Sequence, residues 1–216
     1  MSTIAFILAR KNSVRIKNKH ELKIKNLNLI ENTIKFANKL NFIKNIILST
    51  NDVAILNKDY KVKILKIKRP EKISKASSST ASALIHAFNF LKKKKILFKN
   101  IVLLQPTTPF RSTTMINNAF KVFRKNKFIY SLISVSKTKN VNKRNFEFEN
   151  GFLRLSKKNK KNYQVNGNFF FSNKKFIIKN KSFFQNKRTL GFKIHNPKYI
   201  IDIDTIKDYK KALNFI

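Results

Sequence analysis

The sequence predicts an α/β protein built on a doubly wound, mostly parallel sheet, and three observations lead there. Short, wholly apolar runs of strand length recur through the first two-thirds of the chain. Between them lie segments whose apolar residues return every three to four positions, the period of a helix with one buried face. Strand and helix alternate one for one, the pattern of helices crossing over a parallel sheet. At 216 residues with 42% apolar content, the chain is long enough to pack one such core.

The elements follow in order. Ile4–Leu8 reads as a buried strand, followed by a basic polar stretch over 10–25. Leu27, Ile30, Ile34, Ala37 and Leu40 fall at helical spacing, and Ile46, Ile47 and Leu48 make the second strand. Val62–Ile67 is the third. Ala81, Leu84, Ile85, Phe88 and Leu91 share one helical face, behind the N-cap candidates Ser77, Ser78 and Ser79. Ile101–Leu104 is a further strand, stopped by Pro106 and Pro109. Met115, Ala119, Phe120 and Phe123 mark the next helix, and Ile129–Val135 the next strand. Beyond Thr138 the texture changes. Two alternating runs flank Asn150-Gly151 as a hairpin, then come a basic loop at 157–162, Asn166-Gly167 and the apolar Phe169–Phe171. Residues 139–190 therefore read as a β-rich arm inserted in a single domain spanning 1–216. Tyr199–Thr205 reads as the last strand and Ile206–Phe215 as the last helix.

The charge is extreme, with 48 Lys and Arg against 10 Asp and Glu and a net charge of +38. Such a balance invites a nucleic-acid partner. Lys, Asn, Ile and Phe, all encodable by A/T-only codons, make up just over half the chain, so compositional drift accounts for the excess without any ligand. With no cysteine, disulfides, thiolate metal sites and a Cys nucleophile are excluded. His20, His86 and His195 have no metal-like spacing. No apolar run approaches the roughly 18–20 residues of a membrane span, and the start lacks the basic region of a signal peptide. A soluble, cytoplasmic protein is expected.

Three places could carry chemistry. Asp202 and Asp204 stand two apart in a predicted strand, on one face, where a dication such as Mg²⁺ would relieve their repulsion. The alternative is a solvent-facing strand edge. The basic loop over 9–19 follows the first strand, where doubly wound sheets bind ligands, and suits a polyphosphate. It has neither the glycines nor the ending of a P-loop, and any loop of this chain is rich in Lys. Leu103–Arg111, with two prolines, holds Gln105 and two threonines stiffly at the sheet edge, or is simply a rigid turn.

Taken in order, ARKNS with a Lys at 19, STND at 49–52, RP at 69–70, LLQPTTPFR at 103–111, NG at 166–167 and IDIDT at 201–205 resemble the acylneuraminate cytidylyltransferase family. These are the CMP-sialic acid synthetases and their legionaminate and pseudaminate relatives. The resemblance implies transfer of CMP from CTP to the anomeric hydroxyl of a nonulosonic sugar acid, with Mg²⁺ required and pyrophosphate released. It implies that Ala9, Arg10, Asn12 and Lys19 hold the nucleotide and its phosphates, and that Arg69, Ser78 and Thr80 hold the base and ribose region. Arg10, Lys19, Asp202 and Asp204 would act in catalysis, the two aspartates holding the metal. Gln105, Asn166 and Gln164 would meet the sugar acid, joined by Phe183 and Phe184 lent by a partner in a homodimer. Several positions depart from the family pattern: Val14 stands for a Lys, Gln164 for a basic residue, Phe170 for a Tyr and His20 for an Asn. The other readings are a nucleotidyltransferase for another sugar, an inactive homologue, or a basic RNA-binding protein.

Overall fold

The computed structural model describes residues 2–11, 13–125, 130–138, 145–156 and 162–216. The elements are β1 (Thr3–Leu8), a hairpin of β2 (Lys23–Ile24) and β3 (Leu27–Asn28), α1 (Leu29–Asn38), β4 (Ile43–Thr50), α2 (Val53–Asn57), β5 (Leu65–Lys68), α3 (Thr80–Lys93), β6 (Asn100–Leu103) and α4 (Thr113–Lys125). Then come β7 (Ser131–Thr138), β8 (Phe146–Glu149), β9 (Phe152–Leu155), β10 (Asn162–Asn173), α5 (Lys174–Asn180), β11 (Thr189–Lys193) and α6 (Ile206–Leu213).

The main sheet has the order β5-β4-β1-β6-β10-β7-β11-β9-β8. β5, β4, β1 and β6 run parallel, as the alternating pattern requires, and β10 enters antiparallel to both β6 and β7. Helices cover both faces. Ala5 and Ile7 of β1 pack with Ile30 and Ile34 of α1 and with Ile116 and Ala119 of α4. Ile4 and Phe6, pointing the other way, pack with Leu84 and Phe88 of α3 and Ile177 of α5. Burial on both sides is why Ile4–Leu8 of β1 and residues 101–103 of β6 are apolar at every position, each large side chain contributing about 1.5–3 kcal/mol. Caps fix where the helices begin. Asn28 and Glu31 form a capping box on α1, and Ser79 accepts from the Ser82 N–H on α3. Among the described residues no helix is long and apolar enough to cross a membrane.

The structure corrects several sequence expectations. The third strand is Leu65–Lys68, because Val62 and Ile64 pack on the core without joining a ladder. Tyr199–Thr205 is not a strand. Asn196 caps a 3-10 turn over Pro197–Ile200, favoured by a proline in its first position. Residues 201–204 then run outside any ladder, tied by the Ile203 N–H to the Thr107 carbonyl at 2.8 Å. The alternation that looked like a strand comes from Ile203 entering a small third core with Ile16, Ile24, Leu29 and Ala212. The stretch read as an inserted arm sends β10 into the middle of the main sheet and carries α5 as well. The hairpin at Asn150-Gly151 forms between β8 and β9, with both residues at positive φ, the twist-matched two-residue turn. Asn12, the basic loop at 157–161 and Ile129, the predicted start of β7, lie outside the described residues.

Candidate active site

A cavity of about 350 Å³ opens where the loops leave the carboxyl ends of β1, β5 and β6. Ala9, Arg10, Lys19, Arg69, Ser78, Thr80, Gln105, Asp202 and Asp204 all line it. These residues span nearly 200 positions, and the sheet order is what collects them. β1 lies between β4 and β6, so the loop after it sits centrally and the others close around it.

That loop is held by its neighbours. Arg69 is buried, and its guanidinium donates to the Ala9 carbonyl and to Ser74 Oγ. Burial, then the charge of Arg10, lowers its pKa. Arg69 thus shapes the loop from behind, although it also forms part of the cavity wall. Asn51, from the STND motif, accepts from the Lys11 N–H at 2.9 Å and donates to the Glu71 carboxylate. The α3 N-terminus presents Ser78, Ser79 and Thr80 to the cavity, with the positive end of the helix dipole behind them.

The opposite wall is the rigid turn after β6. Arg111, half-buried, donates to the carbonyls of Gln105 and Asn168 and to Thr108 Oγ1. Burial pulls its pKa down to about 9 against the opposing charge of Asp202. Between Val165 and Phe170 the β10–β7 register breaks, leaving residues 166–169 opposite Ser134 alone. The excursion brings Gly167 against Gln105, where φ is +77° and a Cβ would collide with Gln105 Oε1. Asn168 anchors it, donating to the carbonyls of Phe110 and Tyr199. Asn166 is buried within this bulge and does not line the cavity; its Nδ2 lacks a hydrogen-bond partner among the described residues.

At the mouth, Asp204 pairs with Arg15 and with Lys19, each at 2.8 Å. Asp202 is more deeply set. Burial first, then the neighbouring Asp204 charge, raises its pKa, while a hydrogen bond with Thr107 opposes. Its Oδ1 is buried without a hydrogen-bond partner among the described residues. Among the described residues no group of three or more His, Cys, Asp or Glu is placed to hold a metal. Two carboxylates with one unsatisfied oxygen nonetheless fit a hard dication that keeps waters and takes its other oxygens from a phosphate chain.

Gln164, Phe183 and Phe184 fall elsewhere. They line a separate, mainly apolar cavity with Phe146 and Phe170. There Phe183 packs on Phe170 and Phe184 on Phe146, at centroid distances of 5.2 and 4.9 Å. Ser13, Lys75, Thr107 and Arg15 were not singled out from the sequence. Thr107 lay inside LLQPTTPFR, and Ser13 and Arg15 inside the basic loop over 9–19, while the abundance of basic residues hid the particular places of Arg15 and Lys75.

His20 lines the cavity, but its Nδ1 is buried without a hydrogen-bond partner among the described residues. Burial, then the charge of Lys19, lowers its pKa to about 4, against the Arg10 carbonyl and Asp52, so the imidazole is neutral at pH 7. The unfolded chain, titrating near 6.5, binds the extra proton between about pH 4 and 6.5. Stability from this group is therefore complete above about 6.5 and is lost as pH falls toward 4. His20→Gln is expected to flatten the dependence of melting temperature on pH in that window, and an unchanged slope would refute the assignment.

A family model described as "Cytidylyltransferase" matches residues 4–215. The N-acylneuraminate cytidylyltransferase of Escherichia coli O18:K1:H7 is 25% identical over 97% of this chain, which spans only 51% of that longer protein. The CMP-N,N'-diacetyllegionaminic acid synthase of Legionella pneumophila is 26% identical over 97% of this chain and 94% of its own. Among solved structures, a CMP:2-keto-3-deoxy-manno-octonic acid synthetase complexed with CTP superimposes with a TM-score of 0.77 at 11% identity, covering 100% of this chain and 98% of that one, a likeness of fold. With a nucleotide-sized cavity at the carboxyl edge of a doubly wound sheet and a family match running almost end to end, the chain belongs to the cytidylyltransferase family.

Proposed function

We propose that the protein transfers CMP from CTP to the anomeric hydroxyl of a nonulosonic sugar acid and releases pyrophosphate. The observation that carries this reading is the single cavity in which Arg10, Lys19 and the α3 N-terminus face Asp202 and Asp204. Cations there suit a triphosphate, and the paired carboxylates suit the dication that accompanies it. In the reaction the sugar hydroxyl oxygen bonds to the α-phosphorus, the bond from that phosphorus to the α–β bridging oxygen breaks so that the oxygen leaves on pyrophosphate, and the hydroxyl proton passes to solvent water. Positioning and positive charge supply most of the catalysis in such a transfer. Lys19 and Arg10 neutralise charge that builds on the phosphates. Gln105, braced by Arg111 and by Gly167, offers its amide to the sugar acid. Asp202 and Asp204 would hold Mg²⁺, which when bound polarises the phosphate and eases ionisation of the hydroxyl. A homodimer in which a partner subunit completes the sugar side belongs to the same proposal, with Phe183, Phe184 and Gln164 as candidates.

The test is pyrophosphate release over a panel of nucleotides and sugar acids. CTP is expected to be strongly preferred, because a pocket built for cytosine rejects purines by size and uracil by its reversed hydrogen-bonding groups. Equal thermal stabilisation by CTP, UTP and ATP would count against it. Steeply salt-dependent RNA binding at physiological ionic strength would favour the nucleic-acid reading instead.

A further inference from the structure

Asp204 is clamped by two cations of unlike character. Arg15 Nη2 lies 2.8 Å from one carboxylate oxygen and Lys19 Nζ 2.8 Å from the other, so each oxygen has its own counter-ion. The Lys19 side chain is 8% exposed and the Arg15 side chain 60%. Lys19 is a fixed post, and Arg15 is a long arm in water that can swing. The backbones behind them do not need to move. Ile16, next to Arg15, and Ile203, between the two aspartates, are buried in the same small core.

A carboxylate already neutralised twice has little need of a dication, and a cation already paired has less to offer a phosphate. The two ligands therefore compete with the clamp from opposite sides: a triphosphate attracts Arg15 and Lys19, while a dication attracts Asp204. We propose that Arg15 is a positioning residue that holds Asp204 before a triphosphate arrives and then transfers to that triphosphate. Nucleotide and dication thereby bind with positive coupling. The inference rests on reading the cavity as a CTP site with a dication at Asp202 and Asp204. It adds a role for Arg15, which the resemblance does not supply.

The experiment is a double-mutant cycle on metal-free CTP binding, measured by calorimetry in EDTA. Asp204→Asn is expected to tighten CTP binding, because Arg15 is then free before the nucleotide arrives. In an Arg15→Gln background that gain should be smaller by about two- to fivefold, the reach of one exposed ion pair. A second arm follows Mn²⁺ binding to nucleotide-free protein by electron paramagnetic resonance. Arg15→Gln should tighten it by about two- to fivefold. Lys17→Gln, the same charge change in the same loop with no ion pair to Asp204 among the described residues, should leave it unchanged. An Asp204→Asn gain equal in both backgrounds, or Mn²⁺ affinity moved alike by both loop variants, overturns the coupling while the CTP site stands. A wild type that binds CTP no better than ATP overturns the reading of the cavity and the coupling together.

Discussion

Asp202→Asn and Asp204→Asn are each expected to lower pyrophosphate release by about 10³-fold or more, the scale of losing several kcal/mol of metal-assisted charge stabilisation. The two should part company in stability. Asp202 is a half-buried carboxylate whose pKa is raised chiefly by burial and whose buried Oδ1 has no hydrogen-bond partner among the described residues. A raised carboxylate pKa means that the charge costs stability at every pH above it. An uncharged Asn removes that cost, so Asp202→Asn should melt higher than wild type. Asp204→Asn removes the partner of the buried Lys19 and should melt lower, by about 2–4 °C for each kcal/mol lost. The sequence alone, with both residues on a strand, predicts two variants at least as stable as wild type, and the ion pairs of Asp204 reverse that for one of them. Melting curves with and without Mg²⁺ and CTP decide the assignment. A wild type indifferent to Mg²⁺, or full turnover by Asp204→Asn, sinks it.

Lys19→Ala should reduce turnover by about 10²–10³-fold, the loss seen when one preorganised electrostatic stabiliser is removed. Lys19 lines the cavity with its ammonium paired to Asp204 and is screened from water by its burial. Lys11→Ala, in the same loop, is the control. Lys11 does not line this cavity; its side chain is exposed, and its N–H serves to fix the loop on Asn51. Steady-state rates for both variants distinguish placed charge from bulk charge. Comparable losses would mean that the loop supplies only a positive field.

How much of this was legible depended on range. β1, β4 and β6 and helices α1, α3 and α4 stood out because burial on both sheet faces writes itself into local composition. The short α2 and the β2–β3 hairpin did not, since pieces of five and two residues carry no period to read. α5 was hidden for a similar reason: seven residues, three of them Lys, in a stretch that otherwise reads as strand. Asp202 and Asp204 were recognisable as a pair, but their setting was misread, because Ile201 and Ile203 alternate to reach a side cluster rather than a sheet. Arg15 lay inside the basic loop over 9–19 but could not be told apart from its neighbours. Among 48 basic residues nothing local marks the one whose guanidinium meets Asp204, 189 positions away. Gln164, Phe183 and Phe184 follow in motif order, yet they line another cavity, since β10 passes the active site at its bulge and carries Gln164 beyond it.

The place of β10 in the sheet also bears on how the chain is made. During synthesis β1, β4, β5 and β6 can pair as soon as residue 103 has emerged, but the other edge of β6 is covered only by Phe170–Asn173. For almost seventy residues of elongation the nascent protein therefore carries an open, largely apolar strand edge, a template for joining another chain. The lysines at 92–95, all exposed, and Lys99 stand immediately ahead of that edge. Charge at the end of an open strand opposes edge-to-edge joining, since a second copy brings the same lysines to the contact.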